Sequence, residues 1–192
     1  MTEKTPTDIL EEEHRFIEKV VGAMPTLIKV LGAGQTIEAG LLQDMVEFMR
    51  TFADQCHHGK EEAHLFPVLV SKGVPDTGCP IGGLTHDHQQ GRALVKELAA
   101  AVEAYGAGDA SAKESLIKSL QGVVGLYPNH IWKEDYLLFP MTNKVLGPGY
   151  QKELLGKFAQ VESEIGQDTH HRFEQMASDL AALVSPSGQK LN

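Results

Sequence analysis

Apolar side chains in this chain recur at three- and four-residue intervals over long stretches, and no stretch shows the strict alternation of a half-buried strand. That period restricts the chain to helices that each bury one stripe. The first pattern runs from a cap at Thr7 or Asp8 through "ILEEEHRFIEKVVGAMPTLIKVL". Ile9, Leu10, Phe16, Ile17, Val20, Val21 and Met24 form its stripe, and a kink is expected at Pro25. After "GAGQT", a second pattern covers about residues 36–72, with Leu41, Leu42, Met45, Val46, Phe48, Met49 and Phe52 on its stripe. "KGVPDTGCPIGG", dense in Gly and Pro, is the clearest break. A third pattern follows at about 81–105, a fourth at about 109–146 and a fifth at about 150–184, before a tail, "SPSGQKLN", that is expected to fray. The expected fold is all-α: an up-down-up-down four-helix bundle over about residues 8–146 with an additional C-terminal helix, in one domain spanning 1–192.

The second and fourth patterns share a phrase. "HHGKEEAHLFP" at His57–Pro67 and "HIWKEDYLLFP" at His130–Pro140 align without a gap at His57/His130, Lys60/Lys133, Glu61/Glu134, Leu65/Leu138, Phe66/Phe139 and Pro67/Pro140, and Glu62 meets another acid, Asp135. Each carboxylate, Glu61 or Glu134, lies four residues beyond its histidine, hence on the same helical face one turn away. His14 falls on the first helix and His88 on the third, so successive histidines are separated by 43, 31 and 42 residues and each helix of the bundle contributes one. In an antiparallel bundle they meet at one level of the core. Four imidazoles and two carboxylates buried together are very unfavourable unless a metal compensates them.

Two cations bridged by two carboxylates need ligands from opposite sides, which a bundle core supplies. With two histidines, one oxygen from each bridging Glu and a shared oxo or hydroxo group, each ion has five ligands and an open sixth position for O2, NO or peroxide. Imidazole and carboxylate suit iron, and also manganese or zinc.

These motifs resemble the haemerythrin-like family, also called the HHE cation-binding domain. "EEEHRFIEKV" is similar to its first-helix histidine segment, "CHHGKEEAHLFP" and "NHIWKEDYLLFP" to its HxxxE segments, and "LTHDHQQGR" to its third-helix segment, over about residues 8–146. The resemblance implies a non-haem centre of two Fe ions, oxo- or hydroxo-bridged, in a four-helix bundle, with metal ligands His14, His57, Glu61, His88, His130 and Glu134. His86 competes with His88, and the two cannot both face the core. The family pattern, an acid just before the ligand and an Arg four after it, picks His88 between Asp87 and Arg92. Two departures matter. Oxygen carriers of the family have a further third-helix histidine where this chain has Leu84, and their fourth helix uses HxxxxD, which here would select Asp135; alignment with Glu61 favours Glu134. The implied function is binding or reacting with O2, peroxide or NO, or iron handling. The alternative is an iron- or oxygen-sensing interaction module whose stability depends on metal occupancy.

Composition narrows the partners. With 26 acidic and 17 basic side chains the net charge is −9, which argues against nucleic acid and against an anionic membrane surface. No apolar run approaches the roughly 18 residues of a membrane span. "MTEKTPTDILEEEH" lacks the apolar core of a signal peptide, and two cysteines make no disulfide framework, so a cytoplasmic location is expected. The expected partner is a small diatomic ligand or peroxide; no protein partner is indicated.

Several polar residues are expected outside the ligand set. His58, about 100° around the helix from His57, is placed behind the ligands. His64 is assigned to the pocket mouth or the surface, and His170 and His171 to the surface or packing. Glu11–Glu13 reads as a solvated first turn. Cys56 is expected to be buried and inert, and Cys79, in a loop, to be the better redox candidate. Leu65, Phe66, Leu138 and Phe139 are expected to close the bundle over the site, with Pro67 and Pro140 bending the helices there.

Overall fold

The structure, a computed structural model, describes residues 4–109 and 111–184, and every regular element among them is helical. Helix α1 covers Pro6–Gly32. Its cap is Thr5 rather than Thr7 or Asp8. The Thr5 hydroxyl accepts from the Asp8 N–H at 3.2 Å, and the Asp8 carboxylate accepts from the Thr5 N–H at 2.7 Å. Pro6 starts the helix because its fixed φ suits a position whose N–H needs no partner. The helix continues through Pro25.

Helix α2 spans residues 39–71. It is α-helical over Ala39–Phe48, widens to a π-helix over Met49–His58 and again over Glu61–Leu65, and ends as α-helix at Phe66–Ser71. Helix α3 is Ile81–Gly106. Helix α4 spans residues 112–145, with a π segment at Glu134–Leu138. The expected single fifth helix is two, α5 at Pro148–Ile165 and α6 at Gln167–Val184. Gly166, at φ 96°, divides them, a backbone conformation that glycine adopts without steric cost. The "SPSGQKLN" tail lies outside the described residues.

The repeated Leu-Phe-Pro now has a local explanation. Proline offers no N–H and its ring crowds the carbonyl four residues back, so the α register is disfavoured across it, although α1 keeps it through Pro25. Just before each proline the helix widens instead. The Phe66 N–H donates to the Glu61 carbonyl, and the Phe139 N–H to the Glu134 carbonyl, each five residues back. The two copies of the phrase therefore share one backbone solution.

Contacts at both ends show that α1 and α4 run antiparallel: Thr7 bonds Asn143 at 3.0 Å, and Lys113 bonds the Gln35 carbonyl at 3.1 Å. Likewise α2 and α3 oppose each other, with Ala39 beside Gly106 at one end and Glu62 against His88 at the other. Across α3 and α4, Leu94 packs on Gly122 and Asp87 meets Lys133. Helix α6 lies along α1 and α2 through Lys19–Ser178, Arg172–Glu47 and Phe173 against Phe48. Two apolar clusters result. The larger includes Ile17, Met24, Phe48, Phe52, Leu98, Leu120 and Phe173; the smaller includes Leu10, Leu65, Phe66, Leu84, Leu138, Phe139 and Phe158. A layer of buried polar side chains sits between them along α1–α4. No helix among the described residues is long and apolar enough to cross a membrane.

Candidate metal centre

His14, His57, Glu61, His88, His130 and Glu134 are all buried, none more than 3% exposed. They converge. Glu134 lies 3.1 Å from His14 Nε2, 3.3 Å from His130 Nε2 and 3.5 Å from His88 Nε2; Glu61 lies 3.5 Å from His88 Nε2 and 3.8 Å from His57 Nε2. Within this layer, His14, His57 and Glu134 each place a donor atom within 4.8 Å of the others, and so do Glu61, His88 and Glu134. His86 does not join; it bonds Gln90 at an exposed position.

Seven buried side-chain atoms lack a hydrogen-bond partner among the described residues: His57 Nε2, both Glu61 oxygens, His88 Nε2, both His130 nitrogens and Glu134 Oε1. Each such atom costs on the order of 1–3 kcal/mol if nothing meets it. All belong to the residues that the repeat and its flanking histidines single out. A donor set of imidazole nitrogens and carboxylate oxygens with this shortfall fits cations placed among them.

The outer contacts aim the imidazoles. His14 Nδ1 is 2.6 Å from Asp135, His88 Nδ1 2.6 Å from Glu62, and His57 Nδ1 3.0 Å from Glu13. His130 Nδ1 faces Asp87 at 3.6 Å. A carboxylate on Nδ1–H fixes the tautomer that leaves the Nε2 lone pair pointing inward. Charges hold these carboxylates in turn: Arg15 on Asp135, Arg92 on Glu62, Lys60 on Glu13 and Lys133 on Asp87. The pattern is two-fold. The acid just before His14 serves His57, as the acid just before His88 faces His130. Glu62 and Asp135, aligned in the repeat, each serve a histidine on another helix.

Sequence reasoning missed this outer layer. Glu13 is not solvated but 3% exposed, because its partners come from α2 and α6. Of the two histidines read as surface or packing residues, His170 packs against Glu13 at 3.4 Å and His171 is exposed. The available signal was the paired "EH" at Glu13–His14 and "DH" at Asp87–His88. Asp135, the alternative ligand position, is occupied with His14 Nδ1 and Arg15.

His58 is also drawn in. It is 2% exposed, stacked on His88 at 3.9 Å, with Nδ1 3.3 Å from Asp54 and one ring nitrogen within 4.8 Å of nitrogens on His88 and His130. The helix is π-helical at this point, and both His57 and His58 are buried there. Leu84, where oxygen carriers have a histidine, is buried in the smaller apolar cluster. There Phe139 stacks on His14 at 5.5 Å and Phe66 on His88 at 5.8 Å.

Without cations the layer partitions its protons. Burial and the Glu134 charge push the Glu61 carboxyl well above the usual range. Glu134 is held well below it; burial opposes this, but the His130 charge and the His14 and His88 contacts prevail. Against burial, the Asp135 and Glu134 hydrogen bonds lift His14 to about 9, and Glu134 and Glu62 lift His88 to about 10. Burial and the His14 charge push His57 down to about 4.

The model of the haemerythrin HHE cation-binding domain matches residues 5–142, which cover helices α1 to α3 and nearly all of α4. The chain belongs to the haemerythrin HHE family. It is 25% identical over 168 residues to two uncharacterized proteins, Rv1995 of Mycobacterium tuberculosis (strain H37Rv) and Mb2018 of Mycobacterium bovis. The alignment takes in 88% of this chain and 62% of each of theirs, so the chain spans less than two thirds of the length of these relatives. No solved structure matches the chain significantly.

Proposed function

We propose that this haemerythrin-family chain is one domain, with α1–α4 as an up-down-up-down four-helix bundle holding two iron ions. His14 and His57 serve one ion, His88 and His130 the other, and Glu61 and Glu134 are shared. His58 stands beside the second pair. The observation that carries this reading is the convergence of unpartnered buried atoms from Glu61, Glu134 and the histidines, most of whose rings are anchored at Nδ1 by a carboxylate. Manganese or zinc would suit the same donors.

An iron pair supplies redox chemistry on a small molecule: O2, peroxide or NO. The protein's own part is to hold and exclude. Asp135, Glu62 and Glu13 hold imidazole protons at Nδ1, while Arg15, Arg92 and Lys60 pair with those carboxylates. Phe66 and Phe139 cover the layer from the side of the smaller apolar cluster and keep water from it. The test is anaerobic iron loading, reduction, and exposure in turn to O2, peroxide and NO with visible spectra and turnover recorded. A response to one of them supports the reading, and an inert spectrum with all three contradicts it.

The second reading, a metal- or oxygen-sensing module, is favoured by one feature. Glu162 on α5 and His170 on α6 both join the Lys60–Glu13 group that holds His57. Occupancy of the layer would then be felt in α5 and α6. A sensor predicts a large metal-dependent change in protease resistance at these helices, without turnover.

A further inference from the structure

A cavity of about 280 Å³ lies between α2, α3 and α4, beside the polar layer and sharing His58 with it as a wall. Just below the roughly 300–1,000 Å³ range of ligand pockets, it has room for a small molecule and none for a nucleotide. Its apolar walls are Met49 and Val95, and His58 separates it from His88 and His130.

Three polar groups in it are unspent. Tyr127 is 2% exposed and lines the cavity, yet its hydroxyl has no hydrogen-bond partner among the described residues. The oxygen is not among the fully enclosed unpartnered atoms; it opens onto the cavity. The hydroxyl fits because the facing residue on α3 is glycine: a Cβ on Gly91 would stand 3.2 Å from it. At the rim, Arg50 and Lys96 are exposed cations with no carboxylate partner among the described residues. The other charges are committed. Arg92 pairs with Asp54 and Glu62, and Asp54 in turn also meets His58. What remains is a free O–H donor within and two free positive charges above.

We propose that this cavity binds a small planar oxyanion, a monocarboxylate or an inorganic one such as nitrite, beside the metal layer. One oxygen accepts from the Tyr127 hydroxyl, and the charge is met by Arg50 and Lys96. A planar anion suits the pairing because a guanidinium fork donates two parallel hydrogen bonds to it.

The test is calorimetric titration of sodium formate into the protein as purified, at fixed ionic strength, with the visible spectrum recorded alongside. Saturable binding is expected, weakened about tenfold or more by Tyr127→Phe, since a hydrogen bond to a charged group is removed. The paired change Arg50→Ala with Lys96→Ala should weaken it similarly, and formate should leave any metal absorption unchanged. Tyr127→Phe removes a single oxygen that bonds nothing in the protein, so its helical content and melting point should match the parent. Absence of saturable heat overturns the proposal. So does binding that shifts the metal bands and is indifferent to Tyr127→Phe, which places the anion on the metal. A sample without metal still reads the cavity, so failure of the di-iron reading and failure of this one are separable.

Discussion

Lys60 and Lys133 occupy the same place in the repeated phrase and each pairs with the acid that faces a histidine, yet only one is buried. Lys60 is 0% exposed, between Glu13 and Glu162 under α5 and α6, whereas the Lys133 side chain is 35% exposed beside Asp87. Lys60→Met should therefore strand a buried carboxylate. Breaking a buried pair costs about 3–5 kcal/mol, and His57 and His170, which still meet Glu13, place the expectation near the lower figure. Lys133→Met removes a half-exposed pair worth about 0–1 kcal/mol. Urea unfolding in excess chelator reads the difference. With a slope of about 2–3 kcal/mol per molar, Lys60→Met should lower the midpoint by about 1–1.5 M and Lys133→Met by less than about 0.5 M. Lys60→Met should also weaken metal binding by about 10–100-fold, because Glu13 orients His57. Equal costs for the two lysines would refute the reasoning, since the repeat would then behave symmetrically despite the different cover.

Four further outcomes follow from the same geometry. His14 and His88 have folded pKa values raised to about 9 and 10, so their contribution to metal-free stability is complete below about pH 6.5 and lost as the pH rises through 9–10. His57, lowered to about 4, works oppositely and costs stability as the pH falls from about 6.5 toward 4. Metal binding at pH 7 must displace the extra protons, and calorimetry in buffers of different ionisation enthalpy should find about two or three released per chain. Thiol titration of the native protein should find Cys79 reactive and Cys56 silent, since burial and the Glu13 charge push the Cys56 thiol up to about 12. Phe139→Ala should cost about 3–5 kcal/mol by chemical denaturation and speed reoxidation of the reduced, metal-loaded protein, because Phe139 is fully buried against His14.

The inner layer was legible because its signals are local. A histidine and a carboxylate four residues apart share a helical face whatever the tertiary fold, and four helices with one histidine apiece can bring them together. The carboxylate layer around it was not, because Glu13 meets His57 and Lys60 only after α1 and α2 pack. His58, read as standing behind the ligands, is buried against His88 with Nδ1 on Asp54, on a turn that is π-helical. The prolines that end the phrases could have warned of the two shorter π segments, but nothing comparable marks Met49–His58. Gly166 was visible in the sequence, yet a lone glycine inside a periodic pattern does not by itself announce a break.

The central claim is that two metal ions sit between the apolar clusters, and elemental analysis after anaerobic iron loading and dialysis tests it most directly. About two irons per chain are predicted, with marked loss in Glu134→Gln, whose carboxylate approaches three of the histidines. One ion or none per chain, or two ions retained unchanged in Glu134→Gln, would contradict it.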